Sequence, residues 1–92
     1  MAIPTQYQTV TPYLIINDAA KFLDFMQTLF GAVVTEKHYR DESETNIMHA
    51  ELKIGNATIM CAEATEQWKT EPSGLFIYVD DADASYAKAL EL

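Results

Sequence analysis

Apolar residues recur along the chain at two periods, and the change of period marks where strands give way to helices. Phe22, Phe25, Met26, Leu29 and Phe30 stand three and four residues apart. That spacing predicts a helix over 18–30. Asn17 and Asp18 precede it as N-cap side chains, and Gly31 follows it, suited to the left-handed residue that ends a helix. Ahead of it, Thr11 to Ile16 (TPYLII) reads as a short strand, with Pro12 near the start, where a strand tolerates proline. Residues 1–10 are a polar lead-in. Val33 to Tyr39 is β-branched and aromatic, and reads as a strand. A polar loop (RDESET, 40–45) leads to Ile47–Ile54, which alternates: Met48, Ala50, Leu52 and Ile54 on one side, Ile47, His49, Glu51 and Lys53 on the other. Gly55-Asn56 is a two-residue hairpin turn, and Ala57–Glu63 returns as the partner strand. The order over 11–63 is β-α-β-β-β.

The pattern then begins again. Residues 64–74 (ATEQWKTEPSG) form a polar connector carrying Trp68. Leu75–Val79 is predicted as a strand, and Asp80 and Asp81 cap a second helix with Tyr86, Leu90 and Ala87 on its apolar side. Leu14-Ile15-Ile16-Asn17-Asp18-Ala19 aligns with Ile77-Tyr78-Val79-Asp80-Asp81-Ala82 at a shift of 63 residues. Each copy is strand, acidic cap, helix, which suggests two βαβββ modules, the second represented by its opening over 75–92.

Charge narrows the function. Six Lys and Arg against fourteen Asp and Glu leave a net charge of −8 over 92 residues. That lacks the basic footprint of a nucleic-acid binder, and anionic membrane surfaces would repel it. The single cysteine, Cys61, excludes an intramolecular disulfide framework and a multi-cysteine zinc site. No apolar stretch approaches the ~18 residues of a spanning helix, and residues 1–11 lack the features of a signal peptide. A cytoplasmic setting is expected. A domain this small buries a modest share of its surface, so a partner subunit is expected to help.

Three segments together carry a family resemblance: TPYLIINDAAKFLDFMQTLFGA (Thr11–Ala32), MHAELKIGNATIM (Met48–Met60) and LFIYVDDADASYAKAL (Leu75–Leu90). The sequence resembles the vicinal oxygen chelate superfamily, in particular its glyoxalase-like and bleomycin-resistance-like members. The resemblance implies an α+β fold of two βαβββ modules, a single domain over 1–92. Its mixed sheets would form an open cup, with helices outside and ligand inside. It also implies a homodimer. Relative to that fold, the last three strands of the second module, roughly 35–45 residues at ordinary strand and loop lengths, are missing from this sequence.

Hairpin register assigns the faces. With Gly55-Asn56 as the loop, Ile54 opposes Ala57, Lys53 opposes Thr58, Leu52 opposes Ile59 and Glu51 opposes Met60, and opposed residues share a face. His49, Glu51, Lys53, Thr58, Met60 and Ala62 would line the cup. Met48, Ala50, Leu52, Ile54, Ala57, Ile59 and Cys61 would pack on the helices, making Cys61 a buried small hydrophobe. Tyr13 and Ile15, and likewise Phe76 and Tyr78, would face inward. The expected ligand-binding set is therefore Tyr13, His49, Met60, Phe76 and Tyr78, an aromatic pocket with a few polar handles.

His49 and Glu51, two apart on a strand, lie ~6.5–7 Å apart along one face. A carboxylate beside an imidazole can fix its tautomer for general-base catalysis; the same two residues also suit an ordinary solvated face. Metal-dependent relatives place ligands at positions matching Thr11, Met60 and Gly74. Thr, Met and Gly are not the His and Glu donors a divalent cation needs, so no cofactor is expected and a divalent metal is disfavoured there. Asp80, Asp81 and Asp83 read as helix-capping residues, and His38 as a surface strand residue. The resulting expectation is a protein that binds a small aromatic or amphipathic molecule without the usual metal site. The alternative is a metal-dependent lyase, isomerase or dioxygenase resembling glyoxalase I or the extradiol dioxygenases.

Overall fold

The computed structural model describes residues 2–92. Six elements follow in order: β1 (Tyr13–Ile16), α1 (Ala19–Phe30), β2 (Val33–Tyr39), β3 (Ile47–Ile54), β4 (Ala57–Glu63) and α2 (Ala82–Glu91). The four strands form one sheet in the order β1-β4-β3-β2. β1 runs parallel to β4, and the other two pairings are antiparallel. The β3–β4 register has Ile54 opposite Ala57, Leu52 opposite Ile59 and Ala50 opposite Cys61, as the Gly55-Asn56 turn requires. Gly55 takes a positive φ of 56°, which a two-residue hairpin turn of this kind demands.

One face of the sheet packs on α1. Leu14, Ala19, Leu23, Met26, Ala32, Ile47, Ala50, Leu52, Ile59 and Cys61 form the core. Burial of the Cys61 thiol pushes its pKa up to about 11, with a further push from the Glu63 carboxylate. The helix is rotated from the face its aromatic residues suggest. Leu23 and Met26 are buried, while Phe22, Phe25, Leu29 and Phe30 are only partly covered. The branched and flexible side chains fit closest to the sheet, and the phenyl rings flank them.

Gly31 ends α1 in the left-handed conformation, with its amide on Gln27 O and that of Ala32 on Met26 O, so two terminal carbonyls are satisfied. The start departs from the sequence reading. Asp18 makes no side-chain cap; its own φ is 59°. The cap comes from Glu63 at the end of β4, whose carboxylate accepts from Asp18 N at 2.6 Å and Ala19 N at 2.9 Å. A negative charge there also complements the helix dipole. The Asp18 carboxylate instead lies 3.6 Å from Lys21 Nζ.

The second copy of the repeat is built differently. Leu75–Val79, predicted as a strand, is unpaired: it hydrogen-bonds along neither of the sheet's two edge strands, β1 and β2. Asp81 caps α2 as expected, accepting from Ala84 N at 3.0 Å. Yet α2 buries none of its residues. Tyr86 and Leu90, predicted as its apolar contact side, are 68% and 71% exposed, and only Ser85 and Ala89 are half-covered.

The lead-in is more ordered than its polarity suggests. Gln8 imitates a strand: its side-chain amide donates to Thr58 O at 2.7 Å and accepts from Thr58 N at 3.2 Å. This pins residues 6–8 beside β4 and carries Tyr7 across the sheet. Among the described residues, no helix is long and apolar enough to cross a membrane.

Candidate functional site

Two irregularities in the strands shape the face of the sheet away from α1. Register slips between Val34 and Glu36 on β2, so that Val34 opposes Leu52 while Glu36 opposes Glu51. The extra residue is Thr35. Had the register not slipped there, strict alternation from Val34 would send Glu36 toward the core side. A second slip, between His38 and Tyr39, sets His38 opposite His49 and Tyr39 opposite Ile47, leaving Met48 as the extra residue on β3. The result corrects the alternation expected for this strand. Ile47 is buried in the core and Met48, expected against the helices, is half-exposed and lines a pocket with Tyr13 and Ile15.

Tyr13, His49, Glu51 and Met60 do come together. Tyr13 pairs with Met60 across the parallel ladder and Glu51 with Met60 across the antiparallel one. Tyr13 Oη lies 3.2 Å from His49 Nδ1, and the two rings stand 5.6 Å apart. His49 Nε2 lies 2.8 Å from Glu51 Oε2. Tyr7 Oη, from the lead-in, donates to Glu51 Oε1 at 2.6 Å.

Electrostatics fixes the direction of this chain of hydrogen bonds. Burial of Glu51, 4% exposed, would raise its carboxyl pKa. Hydrogen bonds from His49 and Tyr7 and the nearby imidazole outweigh burial and hold it below the ordinary value. The carboxylate is ionised and can only accept. His49 Nε2–H therefore donates to it, and in the neutral ring Nδ1 accepts from the Tyr13 hydroxyl. Tyr7 has its pKa raised, first by its hydrogen bond to Glu51. The order is Tyr13 to His49 to Glu51, with Tyr7 closing from the other side. Tyr13, about half-exposed, is the most exposed member of the chain of hydrogen bonds.

Beside Tyr13 lies a pocket of about 380 Å³ lined by Tyr13, Ile15, Arg40, Met48, Ala62, Glu63 and Trp68. A turn in which Thr65 and Trp68 exchange hydrogen bonds holds the indole near it. Arg40 supplies its cation, anchored by Asn46 Oδ1 and Glu63 O. The Glu63 carboxylate is turned away to cap α1.

Phe76 and Tyr78 are not brought to this face. They are 84% and 91% exposed, touch each other edge-on at 5.1 Å, and line a groove over the Gly55-Asn56 turn instead. Sequence reasoning missed Tyr7, Glu36, Arg40 and Met48 as members of the site. The first lies in an irregular lead-in, Glu36 and Met48 are steered by bulges that alternation does not show, and Arg40 sits in a polar loop. The positions that a metal would occupy by family analogy do not fit one. The Thr11 hydroxyl donates to Gln8 O, Met60 offers a thioether, and Gly74 offers no side chain.

The sequence profile of the Glyoxalase/Bleomycin resistance protein/Dioxygenase superfamily matches residues 6–92. The chain belongs to this superfamily. No curated protein sequence matches it. Solved structures extend the likeness of fold. The PhnB protein from Bacillus cereus superposes with a TM-score of 0.67 at 16% identity, over 91% of this chain and 71% of that one. A gene product from Arabidopsis thaliana gives 0.67 at 18% identity, over 92% and 72%. The fosfomycin resistance protein FosX from Listeria monocytogenes gives 0.62 at 20% identity, over 91% and 67%. At these identities the likeness is one of fold.

Proposed function

We propose that the protein binds a small amphipathic molecule on the open face of its sheet, without metal ligands at Thr11, Met60 and Gly74. The observation that carries this reading is the pocket of about 380 Å³ that adjoins the Tyr13 hydroxyl. Its volume falls in the range of small-molecule sites, and its lining follows their usual pattern of apolar walls with few polar groups. Ile15, Met48, Ala62 and Trp68 would take the apolar body. Tyr13, backed by His49 and Glu51, would hydrogen-bond a polar group, and Arg40 would favour an anionic one.

A second reading rests on the same hydrogen-bonded chain. Glu51 fixes the His49 tautomer, and His49 can draw the proton from Tyr13 as a bound molecule loses or gains one, which is the arrangement of a general acid–base catalyst. This would make the protein an isomerase or lyase.

Trp68 is the chain's one tryptophan and lines the pocket, so its fluorescence reports occupancy. Titration with a panel of aromatic and aliphatic carboxylates and amphipathic antibiotics, in the presence of EDTA, should give saturable quenching for at least one member. Tyr13→Ala should weaken that binding by roughly tenfold, the worth of a hydrogen bond plus ring contact. A panel with no saturable response, or an undiminished response in Tyr13→Ala, defeats the reading.

A further inference from the structure

The β2 bulge leaves an arrangement that small-molecule binding does not use. Glu36 sits directly opposite Glu51, and His38 directly opposite His49. Two carboxylates and two imidazoles thus form a block on one face of adjacent strands. Like charges directly opposite each other across a ladder are destabilising, and here one of the pair, Glu51, is buried. One donor atom each from Glu36, His49 and Glu51 lie within 4.8 Å of one another. Lys53 and Lys37 flank the block in sequence, but neither is ion-paired to these glutamates among the described residues.

We propose that Glu36, His49 and Glu51 form a binding site for a first-row divalent cation, distinct in place from Thr11, Met60 and Gly74. The donor chemistry fits: one imidazole nitrogen and two carboxylates suit zinc or a neighbouring metal, with water completing the shell. The supports are already in place. Tyr7 holds the second oxygen of Glu51, and Tyr13 lies against the far nitrogen of His49. A cation at Nε2 takes the position of the proton now donated to Glu51. The ring shifts to its Nδ1–H tautomer and donates to Tyr13 Oη, the outer hydrogen bond that metal-bound histidines ordinarily make. No net proton is released by that tautomer exchange. The cation would cancel the Glu36–Glu51 repulsion, in a chain whose net charge of −8 already attracts cations.

His38 is the discriminating neighbour. Its Nε2 stands 3.9 Å from Glu36 Oε2, but it lies outside the three-residue cluster. The experiment is equilibrium dialysis of the full chain against Zn(II), with far-UV circular dichroism to verify folding. One zinc per chain is expected at micromolar free metal. Glu36→Gln should weaken binding at least tenfold and His49→Gln should abolish it, whereas His38→Gln should change it less than threefold. Glu36 is exposed, so its variant remains folded. An independent readout is thermal: metal-free Glu36→Gln should melt above the metal-free wild type, and the same zinc concentration should raise the wild-type melting temperature more than the variant's. Substoichiometric zinc, equal affinity in Glu36→Gln, or loss in His38→Gln as large as in Glu36→Gln overturns the proposal. The Trp68 titration is run in EDTA, so failure of one reading leaves the other standing.

Discussion

The two copies of the strand–cap–helix repeat begin from nearly the same residues and end in different physical situations. In the first, Leu14 is buried against Cys61, α1 packs on the sheet, and a carboxylate 44 residues away in sequence caps the helix. In the second, Ile77 alone reaches the core, Phe76 and Tyr78 face outward, and Asp81 caps its own helix. Local sequence proposes a strand or helix; a partner surface decides whether it carries stability. A self-made cap marks the copy that stands alone, and a borrowed cap marks the copy locked into the fold.

The largest expected contrast comes from core truncation. Leu23→Ala, in the buried stripe of α1, should cost about 2–5 kcal/mol of unfolding free energy. Leu90→Ala, on the exposed side of α2, should stay within about 0.5 kcal/mol. Chemical denaturation measures both. Similar losses at the two sites would mean that α2 is packed in solution.

Next come the caps. Glu63→Gln should cost about 2 kcal/mol, because two charge-assisted hydrogen bonds and a dipole contact weaken together. Asp81→Ala should cost about 1 kcal/mol of helix stability, read as lost helicity in α2 rather than as a shift of the global transition. Amide exchange sharpens the same point: the amides of 75–79 should exchange orders of magnitude faster than those of β3 and α1.

A pH-dependent effect, absent at neutral pH, concerns Cys61, opposite Leu14. Its thiol is the protonated form favoured by the fold, with a pKa of about 11 against an ordinary value of 9.0. The stability it contributes is complete below about pH 9 and declines as pH rises through about 11. Denaturation midpoints across that window should fall more for the wild type than for Cys61→Ala compared with its own neutral-pH value. The native thiol should resist thiol reagents at neutral pH.

Much of the fold was legible in the residues. The β3–β4 register followed from a two-residue glycine turn, the helix limits from apolar spacing and Gly31, and the pairing of His49 with Glu51 from alternation. Three features were not. The Glu63 cap joins residues that only the parallel β1–β4 pairing brings together. The bulges at Thr35 and Met48 leave no mark in a pattern read two residues at a time. Tyr7 enters the site through a Gln8 side chain that substitutes for backbone, which composition describes only as polar. Phe76 and Tyr78 show the opposite limit: alternation placed them on a face, but a segment without a ladder has no face to share.

The sheet's outer strands bear on colloidal behaviour. β1 and β2 are its two edges, and an open edge invites a stray extended chain to add itself. β1 offers only four residues. β2 offers seven, but its register is broken at Thr35 and its middle presents Glu36, Lys37 and His38. A foreign strand would therefore meet a short ladder on one side and a kinked, charged one on the other. The same bulge that turns Glu36 toward Glu51 also makes β2 a poor template for an added strand.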